Sequence, residues 1–282
     1  MKKRYVRPIL VTVIVAGLVA AYVIDDVMRS AAAPDKLEYL PSGVTAGETV
    51  KRIAGSSWAS TAMAATSGPT VFDFATETVG ADPATFLGVV GSWTIGADGD
   101  NKVLVVDGRR WQKGKTSAGI ADKARVLYGG RYAEFLDNVT AFAYFPYAVA
   151  KGIDDFREGE ISLRFKPIDG RIDQAAGILF DLKPNGDYFT VRANALENNL
   201  VLWQFKQGKR SSVKWIKNTP TPSKQWQNLK VVIKGRDVEG WLNGTRYLQH
   251  TLSAPVSGKV GVWSKADSLV YIDDYSVRSA AR

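Results

Sequence analysis

An all-β fold, a two-sheet antiparallel β-sandwich, is predicted by three features of the 282-residue chain. Apolar and polar residues alternate in short runs, Gly, Pro and Asn separate those runs at close intervals, and aromatic residues are plentiful at 8 Trp, 11 Tyr and 11 Phe. With 45% hydrophobic and 23% charged residues the chain can bury a large core, which excludes intrinsic disorder. Cysteine is absent, so disulfides, zinc fingers, iron–sulfur ligation and cysteine nucleophiles are excluded together. The single histidine, His250, excludes a multi-histidine metal centre, and its place at a strand end suits an exposed or hydrogen-bonded side chain better than a general base. Hydrolytic chemistry would therefore rest on Asp and Glu.

The amino terminus reads as a membrane-insertion signal. Lys2, Lys3, Arg4 and Arg7 precede an uncharged apolar run from Pro8 to Ile24. This predicts an N-terminal hydrophobic helix within residues 1–30, either a cleaved signal peptide or an inner-membrane anchor at the lower limit of spanning length. The rest of the chain is then exported, periplasmic or tethered facing the periplasm. Residues 31–69 are rich in Ala, Ser, Thr and Gly and hold no sustained period, which predicts a linker with a short helix near 46–53. The folded domain is expected over 70–282.

Within that domain the alternation is clearest in the second half. Ile161, Leu163 and Phe165 point one way and Ser162, Arg164 and Lys166 the other, as a strand buried on one side requires. Ile178, Phe180 and Leu182 are expected in the core. Phe189, Val191, Ala193 and Ala195 share one face, opposite Tyr188, Thr190, Arg192 and Asn194. LVLWQF, LKVVIKG, VEGWLNG, KVGVWS and LVYIDDYSV continue the series. Lys183-Pro184-Asn185-Gly186 and Asn243-Gly244 are hairpin turns by composition, since Asn-Gly tolerates positive φ. A helix is expected at 131–139. Trp93, Trp111 and Trp203 alternate with apolar neighbours and read as core residues.

Three stretches, RIDQAAGILFDL (171–182), DYFTVRANALENN (187–199) and VGVWSKADSLVYIDDYSV (260–277), resemble exported bacterial domains of the concanavalin A-like lectin/glucanase superfamily, in particular the 3-keto-disaccharide hydrolase and family-16 glycosidase-like group. The resemblance covers about 142–277 and, more loosely, the segment from 70. It implies a jelly roll whose concave sheet can hold a glycan, and it does not by itself imply catalysis, because function belongs to sites and not to folds.

Tyr188, Thr190, Arg192 and Asn194, in a row with steps of about 7 Å along one strand face, would offer a sugar a stacking ring and paired hydrogen bonds. Trp241 and Trp263 are candidate stacking platforms, with Lys265 beside Trp263 in a polar loop. Were the protein an enzyme, Asp173, Glu197 and Asp267 would supply acid and base, although the alternating Glu-Asp-Glu strand of laminarinases is absent. Asp273 and Asp274 in the last strand could join Asp73 near the first in a structural calcium site, with Arg278 a competing partner for the aspartates. No other cofactor is implied.

From Asn198 to Arg236 there is no Asp or Glu, while nine Lys and Arg residues occur among Trp203, Phe205, Trp215 and Trp226. This suits either a solvated basic surface or one that meets an acidic polysaccharide, and export makes nucleic acid an unexpected partner. Three functions stay open: a carbohydrate-binding, lectin-like jelly roll; a glycoside hydrolase acting on a disaccharide or 3-keto-sugar; and a structural envelope protein.

Overall fold

A computed structural model of the chain describes residues 68–109, 125–127, 129, 145–207 and 209–280. The expected N-terminal helix, nearly all of the linker, the helices expected at 46–53 and 131–139, and Trp111 lie outside the described residues. In chain order the strands are β1 (Thr70–Phe72), β2 (Phe86–Val90), β3 (Trp93–Asp98), β4 (Asn101–Asp107), β5 (Tyr147–Ala150), β6 (Gly159–Asp169), β7 (Ala175–Leu182) and β8 (Tyr188–Asn194). They continue as β9 (Asn199–Lys206), β10 (Lys209–Lys217), β11 (Gln227–Lys234), β12 (Asp237–Leu242), β13 (Thr245–Thr251), β14 (Lys259–Ser264) and β15 (Leu269–Ser279).

The strands form two antiparallel sheets, the β-sandwich that the alternation predicts. The first runs β13-β12-β11-β6-β15-β4-β3, with β1 also paired to β15; the second runs β10-β9-β8-β7-β14-β5-β2. Between them lies the main core. Ile161, Leu163 and Phe165 of β6 and Leu229, Val231 and Ile233 of β11 share it with Ile178, Phe180, Val191, Ala193, Leu200 and Leu202 of the second sheet. Each such side chain contributes roughly 2 kcal/mol on burial. Gly240 in β12 marks a close approach of the sheets, because a Cβ there would stand 3.2 Å from Val191 and 3.3 Å from Leu200.

One expected core residue leaves this layer. Leu182 faces the other side of its sheet, because Asp181 adopts φ 59° and the β7–β14 register shifts between Lys259 and Gly261. An extra residue in a strand reverses the facing of everything after it. The two turns also differ from one another. Asn243 and Gly244 both have positive φ (50° and 80°), as a type I′ hairpin requires. In the other turn only Gly186 does (84°), and the Gly186 N–H donates to Lys183 O. Pro184 with its fixed negative φ rules out the primed turn there.

The first sheet is apolar on one face only. The second is buried on both. Its outer face carries a second apolar cluster that includes Leu179, Leu182, Tyr188, Val201, Trp203, Phe205, Tyr147 and Trp263, with Leu127 packed against it, and every residue of β7 is buried.

Candidate functional site

Strand alternation and one short connection bring the polar residues of the second sheet together. Tyr188, Thr190, Arg192 and Asn194 do share a face of β8. Only Ala195 to Asn198 separate β8 from β9, so the antiparallel register sets Asn194 opposite Asn199 and Arg192 opposite Val201. Asn198 takes the positive φ (48°) that so tight a connection needs. Next to this end of β8, the loop before β7 presents Asp173 and the loop after β14 presents Lys265.

These residues form one connected network. The Arg192 guanidinium is fully buried, donates to Glu197 Oε2 at 2.8 Å and to Asn199 Oδ1, and lies beside the rings of Trp203 and Trp215 at 5.9 and 5.7 Å. Asn199 Nδ2 donates to the same Glu197 oxygen at 2.8 Å. Asn194 Nδ2 donates to Asp173 Oδ1 at 2.8 Å, and Lys265 Nζ stands 3.3 Å from that oxygen. The network meets solvent at Glu197, whose side chain is 33% exposed.

The two carboxyls are driven in opposite directions. Burial pushes Asp173 upward, and Lys265 and Arg192 only partly offset it. Burial acts upward on Glu197 too, but Arg192 and Lys265 together with the hydrogen bonds from Asn199 and Arg192 outweigh it and hold the carboxyl at about 2. The same cations thus prevail over burial at Glu197 and fall short of it at Asp173.

Asp173 Oδ2, Thr190 Oγ1, Arg192 Nε and Trp203 Nε1 are buried without a hydrogen-bond partner among the described residues. Buried polar atoms in a folded protein are almost always paired, and an unpaired one costs about 1–3 kcal/mol. Four such atoms, two donors, one acceptor and one hydroxyl, lie on or beside this one face.

Several expected site residues are placed elsewhere. Tyr188 and Trp263 are no stacking platforms: both are buried, Trp263 Nε1 donates to Tyr188 Oη at 3.2 Å, and their rings pack with Phe205 and Phe145. A ring with no exposed face has none to offer a sugar. Asp267 is structural, since its two oxygens accept the N–H groups of Arg171, Ile172 and Asp173 at 2.8–3.1 Å and so fix the loop that carries Asp173. Trp241 belongs to the first sheet. It lines an open groove of about 450 Å³ with Glu160, Ser162, Arg164, Asn228 and Lys230. The Lys230 and Arg246 cations stand 4.9 and 5.9 Å from its ring, and its indole N–H donates to Glu239.

The expected calcium cluster does not form. β1 does pair with β15, but Asp73 is exposed and turned to the N–H of Ala75. Arg164 stands where a cation would, 2.9 Å from Asp273 and 2.5 Å from Asp274, taking the role assigned to Arg278. Among the described residues no three acidic or histidine side chains gather at one point.

Asn199 and Trp215 belong to the site and were not singled out from the sequence. The signal was present: the tight β8–β9 connection forces Asn199 against Asn194, and Trp215 follows opposite Val201 in the β9–β10 register.

No known protein family matches the sequence, and no curated protein matches it. Among solved structures the chain is similar to the carbohydrate binding module CBM66 from Bacillus subtilis, at 14% identity and a TM-score of 0.46 over 70% of this chain and 98% of that one. It is also similar to domain 4 of AbnA, a GH43 extracellular arabinanase from Geobacillus stearothermophilus, in complex with arabinotriose (13% identity, TM-score 0.43, 75% of this chain and 91% of that one). A third is the apo Crh5 transglycosylase (10% identity, TM-score 0.45, 77% and 86%). None of these three likenesses exceeds 14% identity or a TM-score of 0.46.

Proposed function

We propose that the protein is a lectin-like jelly roll that holds a glycan at the Arg192–Asn194 end of the second sheet. The observation that carries this reading is the group of four unpaired polar atoms on one buried face. Vicinal sugar hydroxyls each donate and accept, so they can serve Arg192 Nε, Trp203 Nε1, Asp173 Oδ2 and the Thr190 hydroxyl at once. The half-buried indole ring of Trp215 supplies apolar surface beside them. The basic, apolar amino terminus supports export, with the domain released into the periplasm or tethered to the inner membrane.

The test is retention of the purified chain on a glycan array. Arg192→Ala and Asn194→Ala are expected to weaken retention about tenfold or more, the worth of one or two hydrogen bonds to charged or buried groups. Circular dichroism checks that each variant folds. A folded Asn194→Ala or Arg192→Ala protein that retains glycan as the parent does would overturn the reading.

The opposed carboxyls favour a second reading, glycoside hydrolysis. Asp173 would pass its proton to the glycosidic oxygen as the C–O bond breaks, and Glu197 would accept a proton from the water that attacks the anomeric carbon. Released reducing sugar that disappears in both Asp173→Asn and Glu197→Gln would establish hydrolysis. Retention without release would leave the lectin reading.

A further inference from the structure

We infer that the glycan is a polyanion, a polysaccharide bearing carboxylate or sulfate groups, and that it continues from the buried cluster along the outer edge of the second sheet. This rests on the glycan-binding reading of that cluster. The edge strand is β10, paired among the described residues with β9 alone. Lys209, Lys214 and Lys217 on it, and Lys206 at the end of β9, are exposed. None of these four lysines pairs with a carboxylate among the described residues.

Five other lysines do pair with carboxylates among the described residues, while Lys102 and Lys151 donate to backbone carbonyls. Lys166 pairs with Asp98, Lys183 with Asp181, Lys230 with Glu160, Lys259 with Asp154 and Lys265 with Asp173. The four unpaired lysines lie within the stretch from 198 to 236 that lacks Asp and Glu, where Lys230 reaches Glu160 on a neighbouring strand. Lys217 shares the outer side of the strand with Trp215 and Arg210, whereas Lys206, Lys209 and Lys214 point to the other side, so the edge carries cations without counter-charges on both sides and attracts an anion.

Position ties this edge to the cluster. Lys217 stands opposite Asn199, which holds both Arg192 and Glu197. From Lys217 these cations run back along the nine residues of β10, roughly 30 Å at the rise of a strand, enough for several sugar units. Arg210, with its guanidinium 4.2 Å from the Trp203 ring and 4.9 Å from that of Phe145, adds a rigidly held cation between edge and face. Continuity with a site for hydroxyl-bearing ligands favours an acidic glycan over nucleic acid.

The experiment compares polygalacturonate with its methyl-esterified, uncharged form, using the full chain and titration calorimetry from about 20 to about 300 mM salt. The charged polymer is expected to bind more tightly, and its affinity to fall about tenfold or more over that range. A Lys209→Gln, Lys214→Gln, Lys217→Gln triple variant, altered only at exposed positions, is expected to lose about tenfold on polygalacturonate, to show a flatter salt dependence and to bind the esterified form unchanged.

Equal binding of the two polymers, or a triple variant that binds polygalacturonate as the parent does, would overturn the inference. If Asn194→Ala still abolishes binding in that case, the cluster reading survives alone. If the triple variant loses polygalacturonate while Asn194→Ala and Arg192→Ala bind as the parent does, the edge acts by itself, and both the cluster reading and the continuity fail. Single-stranded DNA bound as tightly as polygalacturonate, with the same dependence on the three lysines, would replace the acidic glycan with a general polyanion.

Discussion

Arg192 carries a full positive charge with none of its surface in water. Such a charge is tolerated only when paired, and Glu197 is the pair. The stability this contributes depends on pH in a definite sense. Because Glu197 is held at about 2, below the ordinary 4.5, its contribution is complete above about pH 4.5 and is lost as pH falls toward 2. Glu197→Gln is therefore expected to destabilise the protein by about 2 kcal/mol at neutral pH, less than the whole shift because a third of the side chain faces solvent. Denaturant melts from about pH 2 to pH 7 should show the gap between parent and variant closing at the acid end; a gap that stays constant would contradict the assignment. Asp173 acts in the opposite sense. Its carboxyl is pushed up by burial, so its ionisation opposes folding as pH rises above the ordinary carboxylate range. At this scale the sequence was partly legible. A period of two correctly set Tyr188, Thr190, Arg192 and Asn194 on one side of a strand. It could not show that the same side is covered, because alternation sorts residues into two faces and is silent about what lies against either. Trp263 misled for a related reason: the polar residues after it begin the loop, while the ring itself is still within β14 and faces Tyr188.

Elements were more legible than side chains. The strands from 161 to 279 follow the alternation, and Asn243-Gly244 makes the turn its composition demands. The departures come from single residues in unusual backbone states. Asp181 at φ 59° reverses the facing of Leu182, and Asp274 at φ 48° accompanies a register shift between Asp273 and Ser276 that buries the first aspartate and exposes the second. Nothing in the residue type announces such positions. The loop joining β6 to β7 shows how one side chain can organise an element. Asp267 accepts three successive N–H groups, from Arg171 to Asp173, and so holds Asp173 toward Asn194 and Lys265. Asp267→Ala is expected to lower stability by about 2–4 kcal/mol, since it leaves these donors unpaired. Amide hydrogen exchange at 171–173 should accelerate in that variant relative to the β11–β12 hairpin on the other sheet. Uniform exchange across both would argue against a local clamp.

At the scale of the whole molecule the two sheets have different surroundings. The first turns a polar outer face, with its paired Lys230, Arg164 and Lys166, toward solvent. The second is apolar on both faces except at the end that holds Arg192 and along the exposed edge strand β10. Composition and turn spacing predicted the sandwich but not this inequality, because burial on a second face needs contacts that no local pattern encodes. The lysine row at the rim has a colloidal consequence. A strand at the margin of a sheet exposes open N–H and C=O groups, and two copies meeting margin to margin could zip together were it not for mutual repulsion between their lysines. The polyanion inferred for that margin would cancel the repulsion while recruiting further copies. Scarce polymer would then gather many copies into a gel and excess polymer would disperse them, so the proportion of protein to polysaccharide, more than the amount of either, would set whether the layer is solid or fluid.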